Sequence, residues 1–351
     1  MSTTRQSIPY FVPAAVQSTS AIEPCSVVPP EVVHWVRSYG GTASTALFDP
    51  TYQRFETPGI DGAIAYRIGF GCAIAVGDPV CEKSQQIALA DAFRTRARAK
   101  RLPCVFSVVG ESFAKAMAAN DAAALCFGRE LGFDPRRDPS AGSKGRELRK
   151  KLNHAKRAGL VGGEYRRDPF PNARTEHELE GVVQAWLAAR RGPQVFLTGV
   201  HLFEAPTVTR WFYVRHGDAL VAVLTTLQLD ALGGYLMNHC ITAPGAPDGT
   251  SEILVANTLA TLGAEGCSFA TFGAAPDRVL GDLVNLSARS QSIARRVFAA
   301  AGNAFHLDAR TRYRRKFQAT HEAPSYLAFA PATIGVRQLG ALSKAFNVSL
   351  P

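Results

Sequence analysis

Two runs of cations, several carboxylates beside glycine-rich loops and three histidines carry the chemistry available to this chain. Residues 145–159 (GRELRKKLNHAKRAG) read as a helix. At about 100° per residue, Arg146, Arg149, Lys150, Lys156 and Arg157 share one arc, and Leu148, Leu152 and Ala155 the opposite one. Lys144, Arg136, Arg137, Arg166 and Arg167 flank it, opposed nearby only by Asp138, Glu147 and Glu164. A dense cationic face on a narrow apolar stripe suits a polyanion, although a charge run is also an ordinary solvated face. A second run, RYRRKF (312–317), places Arg312, Arg314, Arg315 and Lys316 beside Tyr313 and Phe317, a mixture that serves RNA contact as well as packing. His154, His216 and His239 are the candidate acid–base groups.

The loops that could position a substrate are of three kinds. GDPV (77–80) has the composition of a tight turn between a strand and a helix. ITAPGAPDGTSEILV (241–255) reads as a strand exit, a Pro/Gly loop containing Asp248, and a helix capped by Thr250 or Ser251 with Glu252 in its first turn. FGAAP (272–276) ends a strand, where open α/β sheets place ligands, which makes Gly273 and Pro276 binding candidates. The chain has no GxSxG, HExxH or Walker loop, and no acyl-CoA pyrophosphate loop, since GRELGF (128–133) lacks the glycine spacing.

These groups need a scaffold, and the composition supplies one. The chain has 351 residues, 46% of them hydrophobic, 19% charged, with a net charge of +10, which suits two globular domains and an anionic partner. Seven scattered cysteines form no CxxC and no metal-ligand spacing, so reduced thiols in the cytoplasm and no metal are expected. No apolar run reaches the length of a membrane span, and the N-terminus lacks the basic and apolar regions of a secretory signal. Residues 1–30 read as a flexible tail. From residue 31, strand-like segments (63–67, 72–76, 104–109, 209–215, 219–229, 234–241, 269–272, 326–329) alternate with helix-like ones (84–100, 113–119, 145–159, 176–190, 251–263, 287–301), with Ser84 as the cap of the first. The expected architecture is α/β or α+β in two units, 31–168 and 169–351, joined near residues 165–175.

Taken in order, GDPV, KGRELRKKLNHAKRAG, PGAPDGTSE, FGAAP and RYRRKF followed by YLAF resemble the lipid aminoacyltransferase domain of phosphatidylglycerol lysyltransferases over residues 45–330. The resemblance implies tandem acetyltransferase-like (GNAT) folds and transfer of an amino acid from aminoacyl-tRNA to a lipid hydroxyl, with no cofactor. It does not extend to a membrane-spanning portion or a synthetase-like domain. Where bacterial members carry an Asp-x-x-Arg type motif, the chain reads LMNHC (236–240). Free-standing fungal ergosteryl amino-acid ester synthases are similar as well. They make the 3-hydroxyl of a sterol the expected acceptor, with phosphatidylglycerol the alternative and glycine the first choice of amino acid. The implied partners are charged tRNA, held by Lys144, Arg146, Arg149, Lys150, Lys156 and Arg157, and a membrane lipid met peripherally from the cytoplasm; DNA is not expected. On this reading Arg314 and Lys316 hold the tRNA 3′ end or the developing oxyanion. Asn238 and His239 orient the acceptor hydroxyl or take its proton, Glu252 holds the amino group, and Asp248, Gly273 and Pro276 line the substrate. An acyl-CoA-dependent N-acyltransferase and a non-catalytic RNA- or membrane-binding module are the competing readings.

Overall fold

The computed structural model describes residues 28–167, 170–189, 199–305 and 309–345, with side chains of 301–305 and 343–345 left aside. Residues 1–27 of the expected tail and Cys25 fall outside this range, as do residues 168–169 of the expected joint, while Val28 is buried and Pro30, expected in the tail, opens the first helix.

In chain order the elements are α1 (Pro30–Tyr39), β1 (Gln53–Phe55), β2 (Gly62–Gly69), β3 (Cys72–Cys81), α2 (Gln86–Ala99), β4 (Cys104–Gly110), α3 (Glu111–Ala118), β5 (Ala123–Phe133), α4 (Arg146–Arg157), β6 (Leu160–Tyr165) and α5 (Ala173–Ala189). Then follow β7 (Thr209–His216), β8 (Ala219–Leu229), β9 (Gly234–Thr242), α6 (Thr250–Ala264), β10 (Ala270–Pro276), β11 (Leu283–Val284), α7 (Ala288–Phe305), α8 (Ala309–Arg315), β12 (His321–Ala330) and α9 (Val336–Ala345). The fold is mixed α/β. One sheet runs β1-β2-β3-β4-β12-β5-β10-β9-β8-β7-β6, with β11 paired to β5.

The sheet repeats itself. In one half the antiparallel run β1-β2-β3 leads through α2 to β4, parallel to β3. In the other, β7-β8-β9 leads through α6 to β10, parallel to β9. The two halves thus share one order of strands and helix. Their last strands are exchanged: β5, from the first half of the chain, pairs with β10, and β12, from its end, pairs with β4. β6, which precedes residue 168, pairs with β7.

Both parallel pairs are short and end in bulges. The β3·β4 pairing stops at Val76 and Ser107, and the β9·β10 pairing at Leu236 and Thr271. Just beyond these points β3 is bulged against β2, β4 against β12, β9 against β8 and β10 against β5. A bulge adds unpaired residues to one strand and bends it, so each parallel pair splays open. Gly77 and Gly273 sit at two of these bends with φ of 78° and 71°, a region closed to most residues bearing a Cβ.

Four expectations are corrected. GDPV is no turn: it continues β3 as the bulge, because pairing with β2 resumes at Val80. Ser84 does not cap α2; a 3-10 turn over Lys83–Gln85 leads into it and no side-chain cap forms. Neither Thr250 nor Ser251 caps α6, whose N-cap is Gly249 with φ 90°, while the Thr250 hydroxyl donates to the Pro247 carbonyl (2.6 Å). FGAAP lies inside β10, which continues past residue 272 because it pairs with β5 as far as Pro276 and Gly128.

Helices cover the sheet unevenly. α2 and α3 pack on one face of the first half through Phe93, Phe113 and Met117. The other face is covered by α7 and α9 through Ala294, Ala341 and Leu342. In the second half α4 and α6 cover one face through Leu148, Ala155, Leu254 and Leu259, joined by Phe317. α5 covers the opposite face, and α1 reaches it from the first half. No helix among the described residues is long and apolar enough to cross a membrane.

Candidate active site

The splay between β9 and β10 gathers most of the sequence candidates, on two sides of the sheet. The bulge in β9 falls at Asn238–His239, opposite Thr225. It turns both side chains to the same face, where strict alternation would separate them. Asn238 Nδ2 and His239 Nε2 lie 3.0 Å apart, and the Thr225 hydroxyl accepts from the His239 backbone N–H (3.3 Å). Burial and nearby His201 pull His239 down to about 4, so its imidazole is neutral at neutral pH. A small cavity of about 50 Å³ lined by Asn238, His239, Asp49, His201 and Glu204 adjoins a larger one of about 560 Å³ that shares Phe48, Asp49, His201 and Glu204. Burial and the Asp49 charge push Glu204 up to about 7. Burial would raise Asp49 too, but Thr51, the Gly199 N–H and Arg67 together outweigh it and hold it low.

The next residue, Cys240, faces the α6 side, and there the basic run takes its place. α8 carries Tyr313 and Arg314, and Lys316 follows it. Arg314 donates from Nη1 to the Gly273 carbonyl (2.6 Å) and from Nη2 to the Phe272 carbonyl (3.0 Å), with its guanidinium 5.4 Å from the Phe272 ring centre. It thus satisfies carbonyls that the β10 bulge takes out of the ladder. Burial and Arg310 pull it down to about 9, against the pull of Glu130. Lys316 Nζ bonds Glu252 Oε1 (2.9 Å) and lies 5.0 Å from the Tyr313 ring centre. Glu252 is 6% exposed at the start of α6, and the Ser251 hydroxyl donates to its other oxygen (3.0 Å). Burial would raise Glu252, but the Lys316 and Ser251 hydrogen bonds outweigh it and hold the carboxyl below its ordinary value. Burial pushes Tyr313 upward, so its phenol stays protonated.

The basic helix joins this face directly. Lys144, Arg146, Arg149, Lys150, Lys156 and Arg157 are all exposed, and Leu148 and Ala155 are buried. Arg146, Arg149, Lys150 and Arg157 border an open groove of about 630 Å³. Arg149 is partly committed, donating to the Ser140 and Gly142 carbonyls. Lys151, on the flank of α4, pairs with Asp248 in the PGAPDG loop (2.5 Å). A Cβ on Gly249 would come within 2.9 Å of the Lys151 carbonyl, so the loop and the helix pack backbone to backbone.

The splay therefore brings Arg314, Lys316, Glu252 and Gly273 together on one side, with Asn238 and His239 behind them on the other. Asp248 sits at the α4 edge, and Pro276 lies at the far end of β10, bonded through its carbonyl to Thr311 (3.3 Å). His154 and His216 are exposed, at α4 and at the β7–β8 turn. Sequence reasoning missed Tyr313, Glu130, Asp49, His201 and Glu204. Glu130 receives the Thr42 hydroxyl (2.9 Å), and burial raises its carboxyl against Thr42, Thr271 and Arg314. Its only trace was the GRELGF segment, whereas nothing local links Asp49 to Glu204. In the first half the counterpart of the β9 bulge holds Asp78. Its Oδ1 accepts from the Gly110 N–H (2.9 Å), and burial pushes it up to about 6. Cys72, Cys81 and Cys104 are buried free thiols, as expected, and no metal-binding cluster occurs among the described residues.

The stretch of chain that builds this site matches a known family. The model for the phosphatidylglycerol lysyltransferase C-terminal domain covers residues 37–329. The chain belongs to this family. Among solved structures, the C-terminal domain (DUF2156) assigned to a lysylphosphatidylglycerol synthetase of Agrobacterium fabrum is 18% identical. It covers 89% of this chain and 95% of its own, with a TM-score of 0.73. L-PGS from Bacillus licheniformis is 17% identical over 93% of this chain and 100% of its own, with a TM-score of 0.72. At these identities the structures establish a shared fold. No curated protein sequence matches the chain. Family membership makes this an aminoacyl-tRNA-dependent aminoacyltransferase.

Proposed function

We propose that the chain transfers an amino acid from charged tRNA to the hydroxyl of a membrane lipid at the β9–β10 splay. The observation that carries this is the direct junction of the cationic α4 face with the loop and helix that hold Asp248 and Glu252. Phosphates along α4 would lead a tRNA acceptor end toward Lys316 and Tyr313. The aminoacyl ester is already activated, so the protein has to align the two substrates, exclude water and stabilise an oxyanion. In the step proposed, the lipid hydroxyl oxygen attacks the ester carbonyl carbon on the Lys316 face and its proton passes to the departing tRNA oxygen, since His239 and Asn238 lie on the opposite face of the sheet. The tetrahedral oxyanion is met by Lys316, and the tRNA 3′-oxygen leaves with that proton. Glu252, already matched by Lys316, positions that lysine and is within reach of the amino group. The units 31–168 and 169–351 are proposed to act as one body through their exchanged strands.

The family favours phosphatidylglycerol as acceptor, and a sterol 3-hydroxyl is the alternative raised by the LMNHC segment. The test is transfer from tRNA charged with labelled glycine or lysine into vesicles holding phosphatidylglycerol or ergosterol. Label in phosphatidylglycerol alone supports the family acceptor, and label in ergosterol alone replaces it with the sterol. No label in either lipid, with tRNA bound, overturns the transferase reading in favour of a binding module.

A further inference from the structure

We propose that the outer surface of α7 and α9 is the face that docks on an anionic lipid bilayer, an inference that rests on the lipid-acceptor reading and gives it a geometry. Five of the ten large apolar side chains exposed among the described residues lie on or beside this layer: Phe70, Val279, Ile293, Val297 and Val336. Ile293 and Val297 are one helical turn apart on α7, 45% and 40% exposed, about 100° round the helix from Ala294 and Phe298, which pack inward. Val279 precedes Leu280, whose carbonyl accepts from Arg295 of α7 (3.4 Å). At the other end Val336 opens α9 at 88% exposed, and Phe70, 63% exposed at the β2–β3 tip, stands against α9 with its ring 3.4 Å from a Cβ built on Gly340. Both helices pack on one sheet face, so these groups belong to one layer.

Its charge chooses the occupant. Residues 278–300 and 331–342 contain five arginines (278, 289, 295, 296 and 337) and one acid, Asp282, and all six are exposed. Arg289 and Arg296 share the outward arc of α7 with Ile293 and Val297. Apolar side chains ringed by guanidinium groups on a helix lying flat are the pattern that enters the headgroup region of an acidic membrane. A solvated helix has no need of an aliphatic pair on its water side. A second copy of this chain would set these arginines against each other.

The experiment is flotation of the intact protein with phosphatidylcholine vesicles, with and without 30 mol% phosphatidylglycerol, for the wild type, I293E/V297E and R289Q/R296Q. Recovery with the acidic vesicles is expected to fall about tenfold or more in each double variant, since each loses two groups from a contact made of few. Melting temperature and tRNA affinity should hold, because the four side chains face outward. Transfer is then measured to a short-chain, water-soluble phosphatidylglycerol and to the same headgroup in vesicles. The variants should lose only the second. Wild-type binding to acidic vesicles without transfer in either assay leaves this face standing and overturns the acceptor reading alone. Unchanged flotation of both variants overturns the inference, as does a concentration-dependent dimer that I293E/V297E abolishes.

Discussion

At the residue scale, Arg314 and Lys316 look interchangeable in a basic run, yet the fold separates their duties. Arg314 holds two backbone carbonyls at the β10 bulge and faces Glu130. Arg314→Ala strands those acceptors and leaves a buried carboxyl without its cation, a loss of about 3–5 kcal/mol, read as a lower midpoint in denaturant. Lys316 is 37% exposed and paired only at its tip. Lys316→Ala is expected to stay folded and bind tRNA while single-turnover transfer falls roughly 100-fold, the scale of a lost oxyanion donor. Near-wild-type transfer by Lys316→Ala would remove it from the reaction. Asp78 supplies a pH test. Its carboxyl titrates at about 6 in the fold against 3.8 for the free group, so the folded state holds the extra proton between these values. Stability therefore falls as pH rises through that window, by on the order of 2–3 kcal/mol. Asp78→Asn, which keeps an acceptor for the Gly110 N–H, should flatten the dependence of melting temperature on pH between 4 and 6 and melt higher at pH 7. A curve parallel to wild type would show that Asp78 does not titrate there.

At the element scale, α4 is the helix whose sequence pattern and environment agree most closely. Leu148 and Ala155 bury against α6 while the cations stay in water. The geometry refines which of them to test. Arg149 borders the open groove but spends part of its guanidinium on the carbonyls before the helix, and Lys151 is held by Asp248, which makes Arg146, Lys150 and Arg157 the groove cations to replace. Replacing those three by glutamate should weaken tRNA binding and reduce the slope of log K against log salt by about 2–3, close to one per lost phosphate contact. The melting temperature should change little, because none of the three packs inward. An unaltered slope would place the tRNA elsewhere.

At the scale of the whole molecule, the exchanged strands make two similar halves depend on each other. A chain cut near residue 168 takes β12 away from β4 and β5 away from β10, leaving open edges in the middle of a buried sheet. Fragments 28–168 and 169–345 are expected to be insoluble when made separately and to assemble when made together, as read by size-exclusion chromatography. Two independently soluble, cooperatively melting fragments would show that the exchange is dispensable.

Much of this protein was legible in its order of residues. Apolar periodicity marks α4, α6 and most of the strands because burial imposes a repeat of 3.6 or 2 on any element with one wet face. The motif series carried the family. What the tertiary structure alone decided is where strands leave their partners. The bulges at Asp78, Val108, His239 and Gly273 arise from register between strands far apart in sequence. No local pattern reports such a mismatch, so GDPV passed for a turn. The same bulges put Asn238 beside His239 and turned Arg314 from a surface charge into a bridge across β10. Exchange of β5 and β12 is likewise a choice among pairings of equal local propensity, settled by which closes the whole sheet.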